Sequence, residues 1–134
     1  MTKKTLTFWL LILALAALFL SGCGVAPEKR AGKWQATSEF GDFTFTIDET
    51  GSMITYIKYD LECGKGSQSN SAKMSGGPGS DLKDGKIALK FSVIGIPMVE
   101  WSGKFNRSGS KASGTLWMFG RENCECEWKA VKVE

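Results

Sequence analysis

Residues 43–47 read Phe-Thr-Phe-Thr-Ile, and this alternation of apolar and polar side chains is the clearest structural signal in the chain. Successive side chains of a β-strand point to opposite faces, so the two phenylalanines and the isoleucine share one face. The residues Glu-Thr-Gly-Ser at 49–52 have the composition of a turn. Alternation resumes from Met53 to Leu61, and residues 43–61 are therefore predicted to form a β-hairpin.

Strand patterns of the same kind lie on both sides of this hairpin. They occur at 33–37, 86–93, 99–105, 112–119 and 126–131. No helical stripe alternates with them, which argues against a parallel α/β sheet. The sequence therefore predicts an all-β fold, an antiparallel β-sandwich or a small barrel of about seven to eight strands.

One long segment between the strands lacks this pattern. Residues Gly64–Ser80 are rich in glycine and serine, which predicts a long mobile loop with at most a short edge strand near residues 72–74.

The first residues have the features of a secretory signal. A basic start at residues 1–4 precedes an apolar run at 8–20, which is shorter than the roughly 20 residues of a membrane span. Two small residues, Ser21 and Gly22, then precede Cys23. This order of charged, apolar and small residues predicts a signal peptide over residues 1–22.

The end of that segment resembles the lipobox of bacterial lipoproteins, with Leu20-Ser21-Gly22-Cys23 fitting the motif throughout. The resemblance implies that Cys23 carries a diacylglyceryl group and becomes the first residue after cleavage. It implies a lipid-anchored protein of the bacterial cell envelope, with the membrane as its partner through Cys23. Gly24 stands where an Asp commonly signals inner-membrane retention, which favours the outer membrane or the cell surface. An ordinary signal peptide or an uncleaved anchor is the alternative.

The rest of the chain divides into a tether and one domain. Residues 23–31 contain proline and charges without periodicity, so they are predicted to be a lipidated flexible tether, and residues 32–134 a β-sandwich domain. Loss of Lys3 and Lys4 with the signal would lower the formal net charge from +3 to +1. This near balance gives no case for nucleic acid as a partner. The chain has no histidine, which excludes catalytic triads that need histidine and zinc sites with histidine ligands.

A second resemblance covers most of residues 32–131. Gly32-x-Trp34, Phe43-x-Phe45, Cys63, the strand at 112–116 and a late cysteine before Trp128-x-Ala130 are similar to small secreted bacterial β-sandwich domains of unassigned function. That resemblance implies a fold and a disulfide, not an activity.

Three cysteines remain once Cys23 is lipidated, and an oxidising compartment favours a disulfide. Strand alternation places Cys124 and Cys126 on one face, so either can reach Cys63. The resemblance to the secreted domains favours Cys63–Cys124, with Cys126 as the alternative, because those domains keep more residues between the cysteine and Trp-x-Ala. A metal or redox site is disfavoured, since three thiolates lack a fourth ligand, and neither a metal nor a cofactor is predicted.

Aromatic residues on the second faces of two strands are the candidate ligand-binding residues. Trp117 and Phe119 lie opposite the predicted core face of their strand, and Tyr56 lies opposite that of another. Such rings can stack on a sugar or a peptide, although a covered second face or a tightly packed barrel would also explain them. The acidic residues are scattered through turns and strand edges, so no catalytic residues are predicted.

These observations predict a non-catalytic protein with a binding or structural role and a protein or glycan as ligand. One alternative is an inhibitor or immunity-type lipoprotein that inserts the Gly64–Ser80 loop into a secreted hydrolase. The other is a carbohydrate-binding module that uses Trp117, Phe119 and Tyr56.

Overall fold

The structure is a computed structural model that describes residues 26–64, 66–74, 80–120 and 124–134. The predicted signal peptide at 1–22, Cys23 and residues 75–79 of the predicted loop lie outside the described residues.

The described chain is all-β, as the sequence predicts. Its strands are β1 (Gly32–Ser38), β2 (Gly41–Ile47), β3 (Ile54–Cys63), β4 (Gly66–Lys73), β5 (Lys86–Val93), β6 (Ile96–Phe105), β7 (Lys111–Met118) and β8 (Glu125–Lys132). Short 3₁₀ helices cover Pro27–Arg30 and Lys83–Gly85. The strands form one antiparallel sheet in the order β4-β3-β2-β1-β8-β7-β6-β5, so β4 and β5 are its edges.

This single sheet curls into a half-barrel. The rings of Tyr59 on β3 and Phe91 on β5 lie 5.6 Å apart, although six places separate these strands in the sheet. Contact between such distant strands requires the sheet to bend back on itself. Of the two predicted architectures, the structure is therefore an incompletely closed barrel, not a pair of stacked sheets.

Large aromatic side chains fill the concave face. Trp34, Trp101 and Trp128 are fully buried, and the Phe43 ring lies 5.6 Å from that of Trp101 and 5.5 Å from that of Trp128. A buried aromatic side chain removes about 150–250 Å² from water, so these rings supply much of the hydrophobic stabilisation. The alternation predicted for residues 43–47 is confirmed, since all three apolar side chains are buried.

The prediction of a loop at Gly64–Ser80 is wrong for residues 66–73, about half of its length. Residues 66–73 form β4, which pairs with β3 in continuous register from Cys63–Gly66 to Tyr56–Lys73. Edge strands pair through their backbones and bury little, so the polar sequence Ser-Gln-Ser-Asn-Ser showed no alternation to detect.

The antiparallel order puts the turns at two ends of the half-barrel. The proximal end is where the described chain begins, and it includes Pro27–Arg30, the turns at 48–53 and 106–110, and the carboxyl terminus. The distal end holds the β5–β6 turn and the segment from β7 to Cys124. The predicted tether is wrong at its carboxyl end, because Pro27–Arg30 is helical and Arg30 is buried.

Candidate functional site

The distal end is closed by a disulfide. Cys63 ends β3, Cys124 directly precedes β8, and the two are bonded with their Cα atoms 5.9 Å apart. The pairing that the resemblance favoured is confirmed. Cys126, the alternative, is free and half-buried against the core.

A shallow concavity, here called the outer groove, lies on the convex face of β5–β8. It encloses about 540 Å³, and its lining includes Ala88, Lys90, Pro97, Glu100, Ser102, Thr115, Trp117 and Glu125. The register of β6, β7 and β8 places Trp117 directly between Glu100 and Glu125. The indole is half-buried, so one part supports the sheet and the rest faces the groove.

Polar groups around Trp117 are fixed by neighbours. Lys90 Nζ lies 3.0 Å from Glu100 Oε1, and Ser102 Oγ lies 2.7 Å from Thr115 Oγ1 in the adjacent row. An apolar ring surrounded by carboxylates and hydroxyls can stack on the apolar face of a sugar ring and hydrogen-bond its hydroxyls. This arrangement can bind a polyhydroxyl ligand.

The structure separates the three predicted ligand-binding residues. Tyr56 is on β3, four places from β7 in the sheet, so it cannot share a platform with Trp117. Phe119 follows β7, and its backbone N–H donates to the Met98 carbonyl at 2.8 Å. Phe119 therefore belongs to the distal end beside β6, next to the groove.

The structure also has an apolar tip that was not predicted, defined as the hairpin turn at residues 93–96. Ile94 is 97% exposed, and Val93 and Ile96 are 58% and 54% exposed. Ile94 and Gly95 both have positive φ, 52° and 76°. The left-handed region is strained for a β-branched residue, and two-residue hairpin turns of this kind favour Asn-Gly. The signal was the unbroken apolar run at 93–98 with isoleucine where a polar turn residue is usual.

A second cavity lies at the proximal end and is here called the proximal pocket. It encloses about 680 Å³ and is lined by Pro27, Arg30, Ser52, Leu82, Asp84, Gly85, Lys86, Lys104, Phe105 and Arg107. The Arg30 side chain lies over the Phe105 ring, with Cζ 5.6 Å from the ring centroid. Sequence reasoning assigned Arg30 to the tether, and no local pattern marks it as buried.

Two side chains have clearly shifted pKa values. Burial is the largest single influence on the Asp48 carboxyl and raises its pKa, but hydrogen bonds from one hydroxyl and three backbone N–H groups of its turn together outweigh burial and lower the pKa below 3.8. Burial raises the pKa of Tyr59, and a hydrogen bond with Asn70 opposes that rise in part. Asp48 lies in the turn at 48–53 and Tyr59 lies in the hydrophobic core, and neither lines the outer groove.

Among the residues with a described position, no cluster of three or more potential ligands could hold a metal ion. Within the same ranges, none of the helices has the length and apolar character needed to cross a bilayer. Comparison of the chain with protein-family models, with curated proteins and with solved structures found no match.

Proposed function

We propose that the chain is a lipid-anchored protein of the bacterial cell envelope whose β domain binds a partner protein through its distal end and catalyses no reaction. Lipidation at Cys23 rests on the lipobox-like sequence. The observation that supports protein binding is the apolar tip. A turn isoleucine that is 97% exposed, at a φ of 52°, adds no core packing and strains the backbone.

The apolar surface is concentrated at one end. Of the six large hydrophobic residues exposed in the described ranges, four lie at the distal end: Val93, Ile94, Ile96 and Phe119. The described chain begins at the opposite end, so a lipid on Cys23 would leave the tip directed away from the membrane. An exposed apolar projection of this kind suits an apolar cleft of another protein.

This arrangement also revises the inhibitor alternative. Residues 66–73 of the Gly64–Ser80 segment form the edge strand β4, so the apolar tip replaces this segment as the inserting element. A secreted hydrolase with an apolar cleft is one partner that the apolar tip could block.

Site-specific photocrosslinking in the native cells tests the proposal. A photoreactive residue at position 94 or 96 should give the same protein adduct, whereas position 108, in an exposed turn at the proximal end, should give none. Adding Ile94→Asn should reduce the adduct from position 96. No adduct at the tip, or an equal yield at position 108, would contradict protein binding by the distal end.

The anchor is tested separately. Cys23→Ser should move the protein from the membrane fraction to a soluble or unprocessed form, and mass spectrometry of the wild type should find acyl groups on Cys23. Membrane partitioning that survives this substitution would contradict lipidation.

Carbohydrate binding at the outer groove is the second candidate function, and the placement of Trp117 between two carboxylates favours it. Trp117→Ala should abolish retention on a glycan array or polysaccharide resin. Tyr56→Ala is the matched control, because Tyr56 lies four strands away and its loss should leave retention unchanged. Equal retention by wild type and Trp117→Ala would contradict a glycan site.

A further inference from the structure

The proximal pocket contains an arginine with two unpaired hydrogen-bond donor atoms. Arg30 is only 6% exposed, and its Nε and Nη1 atoms are buried without any hydrogen-bond partner. Arg30 Cζ lies over the Phe105 ring, and this contact leaves the Nε and Nη1 donors without a hydrogen-bond acceptor. A buried charge with unpaired donors is costly, so a partner that supplies oxygen acceptors would stabilise it.

Further positive charge surrounds the same pocket. Lys86 and Lys104 are directly opposite each other in the β5–β6 register, and Arg107 also lines the cavity. Like charges that face each other across strands repel. None of the four cations forms an ion pair with a carboxylate in the described chain. Asp84 is the one acidic residue in the lining and leaves an excess of positive charge.

Neighbouring residues restrict both the backbone and the side chain of Arg30. The Trp34 indole Nε1 donates to the Arg30 carbonyl at 2.9 Å, which fixes the backbone of Arg30. A Cβ added at Gly85 would lie 2.7 Å from Arg30 Nη1, so only glycine lets the chain pass so close to this side chain. A fixed guanidinium keeps the geometry that suits bidentate recognition of oxyanions.

We propose that the proximal pocket binds a phosphate-type oxyanion, with Arg30 as the buried donor and the other three cations at the rim. The group can belong to a free phosphate compound or to a phospholipid headgroup. Geometry favours the headgroup, because a protein anchored through Cys23 would have the membrane on the same side as the proximal pocket. The site itself depends on neither the anchor nor the apolar tip.

Equilibrium dialysis of labelled inorganic phosphate against the full-length protein in a non-ionic detergent tests the shared chemistry. Lys104→Gln/Arg107→Gln removes two exposed rim charges without touching the core, and Lys58→Gln/Lys129→Gln removes two exposed charges from β3 and β8. The rim variant should weaken phosphate binding at least about tenfold, the effect of losing one charge-assisted hydrogen bond. The control should bind like the wild type.

The buried donor and the acidic residue need their own variants. Arg30→Gln should abolish the rise in melting temperature that phosphate produces at constant ionic strength. If this variant does not fold, the rim variant still tests the proposal. Asp84→Asn should strengthen binding, because it removes the opposing charge while asparagine tolerates the φ of 53° at this position.

Mixed micelles with equal fractions of phosphatidylglycerol or phosphatidylcholine distinguish the two sources. A higher melting temperature in phosphatidylglycerol that the rim variant loses, without binding of inorganic phosphate, identifies a lipid headgroup. Binding of inorganic phosphate without a lipid effect identifies a free compound, and both results together support a site open to either. No response in either arm, or equal losses in the rim variant and its control, would overturn the proposal.

Discussion

The two ends of the half-barrel are held together by different forces. At the distal end a disulfide joins β3 to the segment before β8, and hydrophobic side chains project into solvent. At the proximal end the described chain has no disulfide, and hydrogen bonds, a buried arginine and the Pro27–Arg30 turn close the structure.

The difference shows how each end can meet a ligand. The apolar tip, with its strained isoleucine, lies at the same end of the half-barrel as the disulfide, and the stability that a cross-link adds offsets the cost of such strain. An end held by polar contacts responds instead to charge, pH and bound anions. We therefore expect substitutions at the distal end to act on overall stability and protein binding, and those at the proximal end to act on the tether segment and its electrostatics.

Loss of the disulfide should have the largest effect. Cys63→Ser/Cys124→Ser removes a cross-link between residues 61 positions apart and should lower the free energy of unfolding by about 4 kcal/mol. Cys126→Ser is the control and should change it by less than about 1 kcal/mol. Urea denaturation of the three proteins measures both effects. Equal midpoints for wild type and double variant would show that the bond does not brace the distal end.

Trp34→Phe should weaken the proximal end. It leaves a cavity and removes the indole donor from the Arg30 carbonyl, at an expected loss of about 2–3 kcal/mol. Trypsin should then cleave after Arg30, which is buried in the wild type. Trp117→Phe, on the convex face, should leave that bond protected. Resistance to cleavage in the Trp34 variant would show that other contacts hold the tether segment.

Ile94→Asn should stabilise the distal end while it weakens partner binding. Asparagine relieves the left-handed strain, and the fully exposed isoleucine loses no packing, so the free energy of unfolding should rise by about 1 kcal/mol. Ile94→Val keeps the β-branch and should bring no gain. A lower denaturation midpoint for Ile94→Asn would show that the isoleucine packs on something that stabilises the turn.

Acid should act on the proximal end, with the smallest effect. The folded pKa of Asp48 is below its unfolded value, so its contribution is present above pH 4 and is lost as pH falls through the folded pKa. Between pH 5 and pH 3 the melting temperature of the wild type should therefore fall more than that of Asp48→Asn. The difference should be only about one or two degrees, because solvent screens an exposed carboxylate. Parallel curves would contradict this role of the turn.

The sequence predicted most of what depends on local pattern. The alternating side chains of β2 are buried as expected, and most of the other strands lie where alternation placed them. Ile54 and Ile57 are both buried although they lie three positions apart, because a register shift between Thr46 and Ile47 changes the phase of β3. A bulge depends on strand pairing, which a single strand's pattern does not contain.

The sites were harder to predict because they depend on which strands become neighbours. Tyr56 and Trp117 are both half-buried, and only the strand order shows that they lie on separate parts of the surface. Arg30 lies in a charged, aperiodic segment that gives no sign of burial. It is covered by the Phe105 ring, which is far away along the chain. Long-range packing of this kind leaves no local trace in composition or periodicity.

The place of β1 and β8 in the strand order has a consequence for how the molecule assembles. These first and last strands are neighbours in the middle of the sheet, with Trp34 opposite Lys132. Each group of four strands can form its hairpins locally, but the two groups join only when the final strand arrives, and closing so long a loop is slow. A chain that is only partly synthesised or partly exported and still lacks β8 therefore cannot complete the sheet.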